Sequence, residues 1–132
     1  MSFIDIPDLD NLPELEAVAA GEYQLKIQKA EVKQQDPAKG NSQFLSLSFE
    51  ILSDNPNVKN VSHVIMLPNN SVDDKENYSR KRRIKAFIEA FKIGMPFEAD
   101  QLGGETGWAL LSLESSDEYG DQNRVKKFVV GK

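Results

Sequence analysis

From Tyr23 onward the chain alternates, with Tyr23, Leu25 and Ile27 set against Gln24, Lys26 and Gln28. A period of two marks a strand with one buried face, and it predicts a first strand over residues 22–34. The phase slips at Ala30 and Val32, as a bulge or sharp bend would make it. After a turn at Asp36-Pro37-Ala38-Lys39-Gly40-Asn41, a second strand puts Leu45, Leu47, Phe49 and Ile51 on one face. Its other face carries Phe44, Ser46, Ser48 and Glu50. A turn at Ser53–Asn57 leads to a third strand, Val58–Leu67, whose phase is ambiguous around His63. There the period changes. Ile84, Phe87, Ile88 and Phe91 fall at i, i+3, i+4 and i+7, the apolar stripe of an amphipathic helix. Ser71, with Asp74 three residues on, resembles a capping box at its start, and Gly94 supplies its stop. Trp108–Leu113 and Arg124–Val130 read as strands four and five, joined by an acidic loop, Ser115–Gln122.

Three strands, one helix and two strands give an all-β expectation: a five-stranded OB-fold barrel with one α-helix between strands three and four. Closing the sheet hides edges that short strands would otherwise expose. Residues 1–20 follow no such pattern. Pro7 and Pro13 interrupt them, and their acids alternate with Ile4, Ile6, Leu9, Leu12 and Leu15. The division expected is an acidic N-terminal tail at 1–20 and a barrel domain at 21–132, a length that suits one modest core.

Composition narrows the chemistry. With no cysteine and one histidine, a disulfide framework, a Cys-based zinc site and a His-rich metal site are excluded, and no cofactor is expected. The N-terminus carries acids and no basic n-region, and the longest aliphatic run, Val64–Leu67, is too short to cross a bilayer. The expectation is a soluble protein of a reducing cytoplasm with no membrane partner. The net charge of −5 is unevenly spread. Residues 1–22 hold six acids and no base, whereas residues 23–132 hold 16 bases and 15 acids. The body is near neutral, and for a polyanion a clustered patch matters more than the total.

The densest cluster is Arg80-Lys81-Arg82-Arg83 with Lys85 beside it. Bases so close repel one another and lack opposite charges at i+4, so an external anion such as phosphate is expected to neutralise them. Nearby Asp73, Asp74 and Glu76 offer partial compensation, and a solvated helix face is the plainer alternative. Phe44 lies opposite the apolar row of strand two and is a candidate platform for stacking a base, or else packs under the helix or tail. Tyr119 sits in the loop between strands four and five among Asp117, Glu118 and Asp121, and Trp108 begins strand four. Both are weaker aromatic candidates, solvated loop and core being their ordinary roles. Lys33 and Lys39 border the first loop, and Arg124, Lys126 and Lys127 lie on strand five, where they can follow a sugar-phosphate backbone. His63 reads as structural. There is no P-loop, GxGxxG or HExxH, and paired acids such as Asp73-Asp74 lie in polar segments, so no enzyme activity is expected.

Gly21-Glu22-Tyr23, Ala30-Glu31-Val32-Lys33, the strand Phe44–Leu52 and the helix segment Arg83-Ile84-Lys85-Ala86-Phe87-Ile88 form a series. It resembles the small OB-fold single-stranded DNA-binding proteins encoded by tailed bacteriophages. The resemblance spans residues 21–130 and implies coating of single strands, without sequence preference, during phage DNA replication or recombination in the host cytoplasm. Bacterial relatives of that family carry an acidic partner-binding tail at the C-terminus, whereas here the acidic segment comes first. The tail is expected to meet replication or recombination proteins, to cover the basic groove of its own or a neighbouring subunit, to stay solvated, or to pack on the barrel. A homo-oligomer fits the reading. The alternative from another class is a protein-interaction adaptor or minor structural phage protein built on the same barrel.

Overall fold

All five strands and the helix form in the computed structural model, which describes residues 2–132. They are β1 (Gly21–Gln34), β2 (Gln43–Ile51), β3 (Val61–Met66), α1 (Asp74–Ala90), β4 (Thr106–Ser116) and β5 (Gly120–Val129). The antiparallel order is β3-β2-β1-β4-β5, and β3 curls towards β5 to give a nearly closed, OB-like barrel with α1 between β3 and β4 in the chain. β1 makes the closure possible: its first half pairs with β4 and its second half with β2. The expected slip in β1 lies between Ile27 and Lys29, slightly earlier than the hydrophobic pattern suggests. Past it Ala30 is buried, but Val32 is 50% exposed.

Alternation fills the interior. Leu25 and Ile27 of β1, Leu45, Leu47 and Phe49 of β2 and Ala109 and Leu111 of β4 are buried. One barrel end is closed by rings: Phe49, Phe87, Phe91 and Phe128 meet at centroid distances of 5.0–6.5 Å. The helix approaches β4 closely there. A Cβ on Gly107 would lie 2.7 Å from the Phe91 ring and 2.9 Å from the Ala90 carbonyl oxygen, so only glycine fits without displacing α1.

Several boundaries differ from the sequence expectation. β3 begins at Val61, because Val58 instead forms a parallel bridge with Glu16. The helix N-cap is Asp73, whose carboxylate accepts from Glu76 N–H at 2.8 Å, while Ser71 N–H donates to Asn69 Oδ1 in the preceding turn. The helix stops at Ala90, four residues before Gly94, with Lys92 left-handed at φ 56°. Ile93 N–H donates to Ile88 C=O at 2.9 Å and Lys92 N–H to Glu89 C=O at 3.3 Å, the paired bonds of a Schellman ending. The acidic loop is shorter than expected. β4 and β5 continue as a ribbon to Ser116 and Gly120, leaving a turn of Asp117, Glu118 and Tyr119. Both faces of that ribbon are polar, so no periodicity announces it.

The composition-based tail divides in two. Glu16 N–H donates to Asn57 C=O at 2.8 Å, and Lys59 N–H to Glu16 C=O at 2.9 Å. Val18 exchanges bonds with the side chain of Asn123 at 2.9 and 2.8 Å. Residues from Glu16 on therefore join the barrel, while Phe3, Ile4, Ile6, Leu9 and Leu12 are exposed.

Candidate nucleic-acid interface

An α-helix turns about 100° per residue, so consecutive bases on α1 cannot share one direction. Arg80 falls four residues before Ile84 and extends the apolar stripe inward. It is 8% exposed, donates to Ser42 Oγ at 2.9 Å and Leu67 C=O at 3.0 Å, and pairs with Glu76 at 3.1 Å. It ties α1 to the ends of β2 and β3, and so leaves the set of bases open to a ligand. Lys81 faces a hollow lined by amides, among them Asn41, Asn69 and Asn77. Contrary to the expectation that the run lacks opposite charges at i+4, Lys85 pairs with Glu89 four residues on at 3.7 Å.

Arg82 and Arg83 point elsewhere, into a cleft of about 710 Å³ where β3, α1 and β5 meet. The cleft exists because no strand ladder joins β3 to β5. At one end the seam is tied by Lys59, whose Nζ donates to Asp121 C=O at 2.9 Å, and bridged by the segment from Glu16 to Val18, bonded to Lys59 on one side and Asn123 on the other. Further along it opens. Its floor is apolar, with Ile65, Ala86, Val125 and Phe128, and His63 lies edge-on to Phe128 at 5.3 Å. Burial pushes the His63 pKa below its ordinary value, with no charged or hydrogen-bonding partner contributing.

β5 brings its share through a bulge. Leu111 faces Val125 and Leu110 faces Lys127, which leaves Lys126 without a partner across the ladder. Both lysines line the cleft, and Lys75 joins them from the first turn of α1. Among the described residues, Lys75, Arg82, Arg83, Lys126 and Lys127 form no ion pair, and no acid lines the cleft. Tyr78 stands on the same wall, 58% exposed, with the Arg82 guanidinium 4.8 Å over its ring. Lys75 and Tyr78 carry no expectation from the sequence, and His63, expected to be structural, also lines the cleft. The helical spacing Lys75, Tyr78/Ser79, Arg82/Arg83, Ala86 was the signal that could have found the helix members.

The outer face of β1, β2 and β3 differs. Phe44 lies there, half-buried, between Lys33 and Met66 in register. Two lysines of this face are already engaged: Lys29 pairs with Glu31 at 2.7 Å, and Lys33 with Glu31 at 3.9 Å. Val64 is both a lip of the cleft and a neighbour of Ser46 on this face, so the two surfaces are continuous.

The remaining candidates lie apart. Lys39 is exposed in the β1–β2 loop, and Tyr119 is 63% exposed at the hairpin turn. Arg124 pairs with Glu114 at 3.5 Å. Trp108 is half-buried on the outside of β4, with Lys132 Nζ 4.9 Å over its ring. Among the described residues no cluster of acids and histidine is suited to a metal, and no helix is long and apolar enough to cross a membrane. Compared with models of known protein families and with curated proteins, the chain matches none.

Proposed function

We propose that the protein binds single-stranded DNA without sequence preference, holding the strand in the β3–β5 cleft and leading it over Val64 towards Phe44. One observation carries this reading: five unpaired cations line a single cleft that also presents Tyr78 and Phe128 and holds no acid. Gathering like charges without counter-charges is unfavourable unless an anion completes the site, and a polyphosphate backbone does so while releasing its counterions. An exposed aromatic ring beside such a track, here Tyr78, favours unpaired bases over duplex, whose bases are already stacked. The family resemblance in β1, β2 and α1 supports the same ligand and a place in phage replication or recombination. Fluorescence titration of a labelled oligonucleotide against unlabelled single strand, duplex and RNA tests it. Single-stranded DNA should compete best, and binding should weaken steeply with salt. Absence of binding at low salt, or equal competition by duplex, would refute it.

A further inference from the structure

The cleft has a floor as well as a charged rim, and phosphates have no use for a floor. Ile65, Ala86, Val125 and Phe128 make an apolar base beneath the cations, within a volume typical of small-ligand clefts at about 300–1,000 Å³. Two kinds of polar group also face the seam without a strand partner. One is the free backbone edge of β3 and that of β5, since no ladder joins these strands. The other is the imidazole of His63, which can offer one donor and one acceptor. An apolar slot with unpaired donors and acceptors, ringed by cations, matches a flat heteroaromatic ring carrying a phosphate.

We infer that one nucleobase of the bound strand leaves the stack and inserts edge-first into the β3–β5 seam, over Phe128 and against His63, with its flanking phosphates on Arg82, Arg83 and Lys126. This site rests on the proposed single-strand binding and adds to it a discrete subsite. A backbone edge offers hydrogen bonds to every base, so insertion leaves the protein tolerant of sequence. It also separates two roles. Phosphates provide the salt-dependent part of the affinity, and the inserted base provides a part that salt barely touches.

The test compares oligothymidylate with an abasic phosphodiester strand of equal length by fluorescence anisotropy. The quantity read is the ratio of their affinities. For the wild-type protein the ratio should be at least about fivefold, the lower end of what one stacked base contributes. Ala86→Leu and Ser79→Trp each fill the cleft from α1, and thermal melting confirms that they fold. In either variant the ratio should drop by about fivefold or more, leaving only what stacking at Phe44 contributes. A wild-type ratio near one would overturn the inserted base while leaving single-strand binding in place. A ratio that persists in both filled variants would place the base elsewhere. If neither strand binds at low salt, the function and this subsite fall together. Uptake of a peptide of residues 2–15 with no uptake of thymidylate would assign the cleft to an acidic chain segment and overturn the inference.

Discussion

The outer face of β1–β3 and the seam between β3 and β5 carry lysines and aromatic rings alike, yet only the seam gathers several unpaired bases with no acid among them. On the outer face Glu31 stands between Lys29 and Lys33 and neutralises both at short range. In the seam, five bases from two elements converge with no carboxylate among them. The lesson is that a basic residue counts towards a polyanion site only after its intramolecular partners are known. The Arg80–Lys85 run makes the same point within one helix, since its members face the core, an amide-lined hollow, the seam and Glu89.

The largest contrast is expected within that run. Arg80→Ala strips Ser42 Oγ, the Leu67 carbonyl and Glu76 of a buried charged partner and should cost about 3 kcal/mol of stability. Arg82→Ala should stay within about 0.5 kcal/mol of the wild type, as exposed changes do. Urea unfolding of both variants checks the split, and similar losses would erase the distinction between structural and free bases.

A smaller effect comes from Gly107→Ala. The added methyl meets the Phe91 ring and the Ala90 carbonyl, so overpacking should cost about 1–3 kcal/mol. Because α1 is one wall of the seam, its displacement should also weaken strand binding in the molecules that remain folded. Unchanged affinity in that fraction would detach the helix from the site.

On the outer face, Phe44→Ala should lower affinity by about 1 kcal/mol, the bottom of the stacking range, because the ring is already half covered. Its melting temperature should hardly move, whereas Leu47→Ala should lose about 2–5 kcal/mol of stability. A Phe44 loss exceeding that of any seam substitution would reverse the ranking of the two surfaces.

The smallest effect concerns pH. Burial depresses the His63 pKa below its ordinary 6.5. The unfolded chain therefore takes up the proton first as pH falls, and stability declines from about 6.5 downward until the folded pKa is passed. Lys75, Arg82, Arg83, Lys126 and Lys127 line the same cleft and add no compensation for a protonated imidazole. His63→Gln should flatten that part of the stability-against-pH curve. An unaltered curve would mean that His63 is not the group responsible.

The barrel was legible because its code is local. Alternation in Leu25/Ile27 and Leu45/Leu47/Phe49, followed by the stripe Ile84/Phe87/Ile88/Phe91, announces strands and helix in their order. The helix cap was misplaced by two residues because Ser71 and Asp73 have the same chemistry, and only the backbone decides which one caps. The extension of β4 beyond Leu113 and of β5 before Arg124 was missed because that part of the ribbon alternates without an apolar face. The site was less legible still. It joins residues near 63, 82 and 126 across a gap in hydrogen bonding, which no run of sequence records. Arg80 looked like its four basic neighbours, although its place on the apolar stripe marked it as inward-facing.

The seam and the outer face can be weighed directly by the slope of log affinity against log salt. Two variants are needed: one with Arg82, Arg83, Lys126 and Lys127 changed to alanine, the other with Lys29 and Lys33 changed. Each phosphate contact on a single strand contributes about 0.7 to the slope. If the seam holds the strand, the first variant should lose about 2–3 from the slope, and the second less than about 0.7. Equal slopes in both variants, or the larger loss in the outer-face variant, would contradict the assignment of the strand to the seam.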